Sequence, residues 1–330
     1  MTPRASKPFR GRAWSMGGAA VGVLGLAWVF FTLDYNRLAR VAGDVRAEFL
    51  VLVPLAIVAE QMVRAWKWRQ ILHALQPIGT LRLFGAIMAG YLAGMFVPGG
   101  SPLMRSWLVA RLERMRMSAM LATVAIDRLI DGIVFAVLVG AVLALAVLPD
   151  RSGDIQRALW IAALGSFFLF ALLIAVLYMN RQRFDQAAGW VSRLVRLLPE
   201  RFAKRAQGLL RSFAQGIVWP RSQWRGRGIV LASLLMKLIA ATHFLWAGLS
   251  IGVLLRPVDY LFVIVFLGFI VIAAHVARIP GGFLLGAIFV LGLLGVGREQ
   301  ALAMALVVQV ASSLSVAAFG GLALWWNGVA

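Results

Sequence analysis

No cysteine occurs among the 330 residues, which removes disulfides, thiolate-ligated zinc, iron–sulfur clusters and thiol nucleophiles together. Histidine is nearly as scarce: His73, His243 and His275 stand far apart, and scattered single imidazoles do not make a metal site. Acids are few, 13 against 33 lysines and arginines. There is no Gly-rich nucleotide loop, no H-E-x-x-H pair, no G-x-S-x-G elbow and no Asp-rich metal motif of a prenyl or phospho-alcohol transferase. These absences predict a protein that is not an enzyme, with no catalytic residues, no metal and no cofactor.

What is abundant is hydrocarbon. Residues of hydrophobic type make up 62% of the chain and charged ones only 14%, more apolar surface than a soluble domain of this length can bury. Lipid is therefore the expected solvent. Stretches 16–33, 135–148 with its upstream turn, 159–179 and 229–255 approach or exceed the ~20 apolar residues that cross a hydrocarbon core. The N-terminal basic tail (Arg4, Lys7, Arg10, Arg12) runs into the first stretch with no small-x-small cleavage site before Asp34, so the stretch reads as a retained span rather than a signal peptide. A net charge of +20 would fit nucleic acid if it lined a soluble face, but the basic residues flank the spans instead, where anionic lipid draws them. The expected partners are membrane lipids with phosphate head groups, not nucleic acid.

Lysine and arginine also set the expected orientation. With the tail cytoplasmic, the first span exits near Leu33, and residues 49–63 return the chain to Arg64, Lys67 and Arg69, read as a second cytoplasmic basic cluster. Residues 81–97 then meet Pro98-Gly99-Gly100-Ser101-Pro102, beyond which Arg105, Arg111, Arg114 and Arg116 mark the same side again. Entry and exit on one side predict a re-entrant hairpin, whose broken backbone needs other helices or a hydrated cavity around it. The span from 118 to 148 leads to an outer loop with Asp150, Arg151 and Asp154, and 159–179 comes back in. Residues 181–227 hold eleven basic residues and two acids, with Trp190, Leu194, Leu197 and Leu198 interleaved at near-helical spacing. That pattern fits either a helix on the anionic inner leaflet or a solvated connector.

Ile279-Pro280-Gly281-Gly282-Phe283 repeats the first break 182 residues later, and the same offset lays 118–127 on 300–309, setting Gln309 opposite Asp127. Following the alternation, the second hairpin opens outward and 301–326 carries the C-terminus inward. The expected fold is an all-α polytopic membrane protein of about six full spans plus two Pro/Gly-broken re-entrant hairpins in an inverted repeat, a plan that secondary transporters use. Its expected divisions are 1–48 (tail, first span and outer loop), 49–180 (first repeat half), 181–228 (basic amphipathic connector) and 229–330 (second repeat half). Both termini are expected on the cytoplasmic face of a cell inner membrane.

A few charges sit where hydrocarbon penalises them. The string VAIDRLIDG places Asp127, Arg128 and Asp131 within an apolar stretch, where a charge at mid-span costs at least ~2.5–3.5 kcal/mol unless it is paired or wet. Asp127 and Asp131 share a helix face, and Arg128 can approach Asp131 three residues on. They form either a structural ion pair or part of a substrate site. Arg105, beside the first break, has a planar fork suited to phosphate, with snorkelling as its alternative. Lys237, His275 and Arg278 supply polar groups to the second half, while Gln309 and the serines after it suit helix–helix hydrogen bonds. Arg105, Asp127, Arg128, Asp131, Lys237, His275, Arg278 and Gln309 are the expected substrate-binding residues, with Arg105 and the Asp127–Arg128–Asp131 group lining one hydrated cavity.

In order along the chain, Trp66–Arg69, Pro98-Gly99, Arg105, Asp127-Arg128-Leu129-Ile130-Asp131 and Pro280-Gly281-Gly282 resemble the motifs of the lysylphosphatidylglycerol synthase transmembrane-region family, the flippase-like membrane portion of the multiple peptide resistance factor and its stand-alone relatives. The match runs from about Ala47 to Trp326. Asp127 stands where that family usually has Glu, no acid lies just before Arg105, and no Glu follows Pro280-Gly281-Gly282 closely. The resemblance implies a lipid-translocating membrane fold. It carries no soluble aminoacyl-transferring domain, so synthesis of an aminoacylated lipid is not expected of this chain, and a lipid-synthesising enzyme on a separate chain is an expected partner. Three functions follow: a transporter moving an anionic or modified phospholipid or a polyprenyl-phosphate lipid between leaflets, a non-transporting scaffold of an envelope-lipid pathway, and a membrane-embedded transferase.

Overall fold

The computed structural model describes residues 9–97, 99–145 and 222–328, with scattered positions between 157 and 172. Among the described residues all regular structure is helical: α1 Phe9–Thr32, α2 Tyr35–Gly43, α3 Ala47–Leu72, α4 Thr80–Phe96, α5 Gly100–Leu112, α6 Met117–Leu145, α7 Gln223–Ser250, α8 Pro257–Ala277, α9 Gly282–Leu293 and α10 Arg298–Trp326. Helices α3, α6, α7, α8 and α10 are long and apolar enough to cross a membrane, so this is a multi-pass α-helical membrane protein. The span expected over 159–179 and most of the basic stretch 181–227 lie outside the described residues.

Helix boundaries follow local chemistry. Asp34 caps α2, its Oδ1 accepting from the backbone N–H of Asn36 and Arg37 at 3.0 and 3.1 Å. Pro257 opens α8, whose first turn is tied back by Asp259 to the Arg256 backbone and guanidinium. Both Pro/Gly breaks fold alike: Gly99 and Gly281 hold φ of +76° and +70°, and α5 and α9 each start on the following glycine. A left-handed residue reverses the chain at little cost only when it lacks Cβ. Of the four helices flanking these breaks, α8 has 21 residues, about 32 Å at 1.5 Å per residue, and is long enough to cross alone; α4 has 17 and α9 has 12. Length by itself therefore does not make the α8–α9 pair re-entrant.

Two compact units interleave along the chain. One comprises 1–55, 142–153 and 240–311; the other comprises 56–141, 154–239 and 312–330. The expected repeat halves are contiguous blocks, whereas each unit draws on both. In the first unit α1 lies against α8 and α9, with Gly22 directly over Pro280 and Val29 and Leu33 meeting Leu302 in a small core. In the second unit α4 and α5 pack closely, around a core of Trp68, Leu72, Leu83, Met88, Leu108 and Met120. That approach depends on glycine: a Cβ on Gly90 would lie 2.8 Å from the Ser101 carbonyl and 3.1 Å from Arg105 Cβ. Small residues let membrane helices close on one another where hydrophobicity supplies no attraction between them, and here the contact seats Arg105.

Candidate functional site

Four helices of the second unit turn charged faces toward one another. From α3 come Glu60, Gln61, Arg64, Lys67 and Trp68, spaced so that one stripe of a 3.6-residue helix carries them all. From α5 comes Arg105, from α6 Thr123, Asp127 and Asp131, and from α7 Ser233 and Lys237. Asp131 lies about 21 Å along α6 from its start at 1.5 Å per residue, near the middle of the helix.

Lys67 is the hub. Its ammonium is wholly buried and lies 2.7 Å from Asp127 Oδ1 and 2.5 Å from Asp131 Oδ1, bridging two consecutive turns of α6. It also donates to Ser233 Oγ at 3.3 Å, and the Ser233 hydroxyl donates to the same Asp131 oxygen at 2.9 Å. Arg64 approaches the second Asp131 oxygen at 3.6 Å while its other donors bind Glu60 at 2.7 Å and Gln61 at 3.0 Å. A lysine this deep is tolerable only because carboxylates surround it, since one unpaired buried charge costs several kcal/mol (~3–5 for a broken pair).

Arg105 is bound more loosely. Its guanidinium is 1% exposed, stands 5.2 Å over the Trp68 ring, and reaches Asp127 Oδ2 at 3.6 Å, too long for a hydrogen bond. Trp68 is itself fixed by its indole N–H to Thr123 Oγ1 at 3.1 Å. Two Arg105 donors, Nε and Nη2, have no hydrogen-bond acceptor among the described residues, and neither Asp127 oxygen has an aligned donor. Lys237 completes the group from the same face of α7 as Ser233, with its ammonium 5.3 Å from the Phe135 ring centre. Four cations (Arg64, Lys67, Arg105, Lys237) thus face three carboxylates (Glu60, Asp127, Asp131), an excess of one positive charge.

Of the expected substrate-binding residues, the structure brings together Arg105, Asp127, Asp131 and Lys237. Arg128 is on the exposed side of α6, about 100° round the helix from Asp127, and the partners expected of it at Asp131 are instead Lys67 and Arg64. His275, Arg278 and Gln309 belong to the other unit and are exposed; Arg278 is the left-handed cap that ends α8, with φ +55°. Of Arg64, Lys67 and Arg69, read together as a cytoplasmic basic cluster, only Arg69 is exposed, while Arg64 and Lys67 are buried in the site. Their signal was the regular stripe of polar residues on α3, each one turn from the next, which a face-by-face reading finds and a charge count does not.

The lysylphosphatidylglycerol synthase TM region model matches residues 15–320, nearly the whole chain. The chain belongs to that family. No curated protein and no solved structure matches it. Membership ties a multi-pass membrane domain to lipid handling, and the charged centre of the second unit gives that domain a chemical focus. Among the described residues there is no cluster of His, Asp and Glu able to hold a metal ion.

Proposed function

We propose that this family member moves an anionic or modified phospholipid, or a polyprenyl-phosphate lipid, between leaflets of a cell inner membrane, and that the phosphate binds at the α3–α5–α6–α7 centre. The single observation that carries the reading is Arg105: a buried guanidinium with two donors that have no hydrogen-bond acceptor among the described residues, stacked on Trp68 and without a bidentate carboxylate. Buried polar groups left without protein partners call for an explanation, and phosphate oxygens would supply the acceptors these donors lack. Phosphate oxygens match the planar fork, and the excess positive charge favours an anion over a neutral head group. Lys67 and Arg64 together hold Asp131, and Lys67 also holds Asp127 Oδ1, so an arriving phosphate would contend with Asp127 Oδ2 alone. A cationic group on a modified head group would find Asp127 once Arg105 turned to the phosphate.

On this reading the chain is a transporter rather than an enzyme, and its lipids come from an enzyme on a separate chain. The test is purified protein in liposomes with fluorescent lipids of several head groups, scored for protein-dependent exchange between leaflets. Movement of phosphate-monoester or anionic lipids that Arg105→Gln abolishes supports the proposal. Folded protein that moves none of them overturns it and leaves the scaffold reading.

A further inference from the structure

Next to the charged centre, but on the outward side of the same helix pair, α3 and α7 leave an apolar groove of about 710 Å³. Met62 and Trp66 form one wall and Leu231, Leu235 and Leu238 the other, with Gly228 as floor where a Cβ would come within 3.2 Å of the Trp66 ring. Both helices are membrane spans, and Trp66 and the three leucines are each at least 40% exposed, so the groove opens to lipid rather than to a neighbouring helix among the described residues. One end is not apolar. There Arg69 donates to Thr80 Oγ1 at 3.4 Å, Arg225 lies 3.1 Å from His73 Nε2, and Arg227 stands over the Trp224 ring at 5.2 Å. None of these three arginines forms an ion pair among the described residues; the nearby Glu113 is taken by Gln76 and Arg82.

We infer that this groove is a binding site for one anionic glycerophospholipid, with an acyl chain along Met62, Trp66, Leu231 and Leu235 and the phosphate at Arg69, Arg225 and Arg227. Charge complementarity selects the occupant. A row of leucines ending in guanidiniums that form no ion pair among the described residues, with two tryptophans, has the polarity profile of a lipid read from tail to head group, the aromatic rings at the interface between the two. A peptide helix would leave the arginines without counter-charge, and a zwitterionic lipid would bring its own cation to them. The site is separate from the buried centre, since Trp66 faces the groove while Lys67, the next residue, faces Asp131. It does not depend on lipid movement: a protein that transported nothing would still hold this lipid.

The test uses the full chain in nanodiscs containing phosphatidylglycerol with a photoactivatable diazirine in one acyl chain, followed by peptide mapping of the adducts. We expect adducts at Met62, Trp66, Leu231 and Leu235 to exceed those at Leu314 and Leu322, exposed leucines of α10, by about fivefold or more, which corresponds to roughly 1 kcal/mol of preference. Unlabelled phosphatidylglycerol should compete and phosphatidylcholine should not. The double variant Arg225→Gln/Arg227→Gln should bring groove labelling down to the α10 level, as should Leu235→Trp, which fills the groove from its exposed lip without touching the core. Groove labelling no denser than on α10, or equal competition by phosphatidylcholine, or indifference to both variants overturns the assignment.

Discussion

Lys67 shows how much one side chain can decide. With no exposed surface and two carboxylates within 2.7 Å, it converts what would be mutual repulsion between Asp127 and Asp131 into a bridge between α3 and α6. Lys67→Met should leave those acids with only the looser 3.6 Å approaches of Arg64 and Arg105, at a cost of about 3–5 kcal/mol, visible as a lowered Tm and a loss of monodisperse protein. Adding Asp131→Asn to it should recover part of the loss, because the Arg64–Glu60 and Arg105–Asp127 pairs then remain with the parent's excess of one positive charge. A single variant as stable as the parent would show that the bridge carries no stability. Arg105 poses the complementary case: Arg105→Lys keeps the charge but loses the fork and the ring stacking. We expect near-parental Tm and lipid movement reduced by about tenfold or more, the worth of one charge-assisted hydrogen bond. The sequence made Asp127 and Asp131 legible because an acid inside an apolar run demands a reason. Lys67 escaped because the positive-inside rule already explains a lysine near basic neighbours, and that rule says nothing about which way a side chain points.

At the scale of elements, the breaks at Gly99 and Gly281 separate what sequence can reveal from what it cannot. Their Pro-Gly-Gly strings and their spacing were readable, and the structure gives both glycines the same left-handed backbone and starts a helix after each. The close seating of α5 on α4 was not readable, since Gly90 looks like any glycine in an apolar helix until the Ser101 carbonyl is found beside it. The two kinds of glycine should respond differently to alanine. At Gly99 a Cβ meets open space, so Gly99→Ala should cost only the backbone strain, about 1–2 kcal/mol, with lipid movement retained in whatever protein folds. At Gly90 the added methyl meets backbone, which cannot rotate away, and α5 must shift. Gly90→Ala should therefore cost about 1–3 kcal/mol and, by carrying Arg105 off Asp127 and Trp68, depress lipid movement further than its Tm predicts. Equal specific activity in the two variants would show that α5 does not position the arginine.

For the whole molecule, the sequence plan of two like halves has a structural counterpart in the order of the elements. A long helix, a helix ending in a Pro/Gly break, a short helix and another long helix occur as α3–α6 and again as α7–α10, with Gly282 following Gly100 by 182 residues and Arg298 following Met117 by 181. The charges do not repeat with the helices. At the 182-residue offset Lys67, Arg105, Asp127 and Asp131 fall on Leu249, Ala287, Gln309 and Ser313, none of them charged. On the proposed transport reading, like element orders with unlike charge would let one half hold the head group and the other complete the path, provided the halves have opposite orientation in the membrane. That orientation is open to a direct measurement, and the missing cysteines make it clean. Ser152→Cys and Ser212→Cys, each as the only thiol in the chain, should react with an impermeant maleimide from opposite faces of sealed vesicles: residue 212 from the face that carries both termini and the basic stretch 181–227, residue 152 from the other. The basis is the distribution of charge, eleven basic residues against two acids over 181–227 compared with the mixed Asp150, Arg151 and Asp154 around residue 152. If both cysteines react from one face only, the span between them does not cross, the second half enters the membrane in the same sense as the first, and an inverted repeat can no longer account for the two breaks.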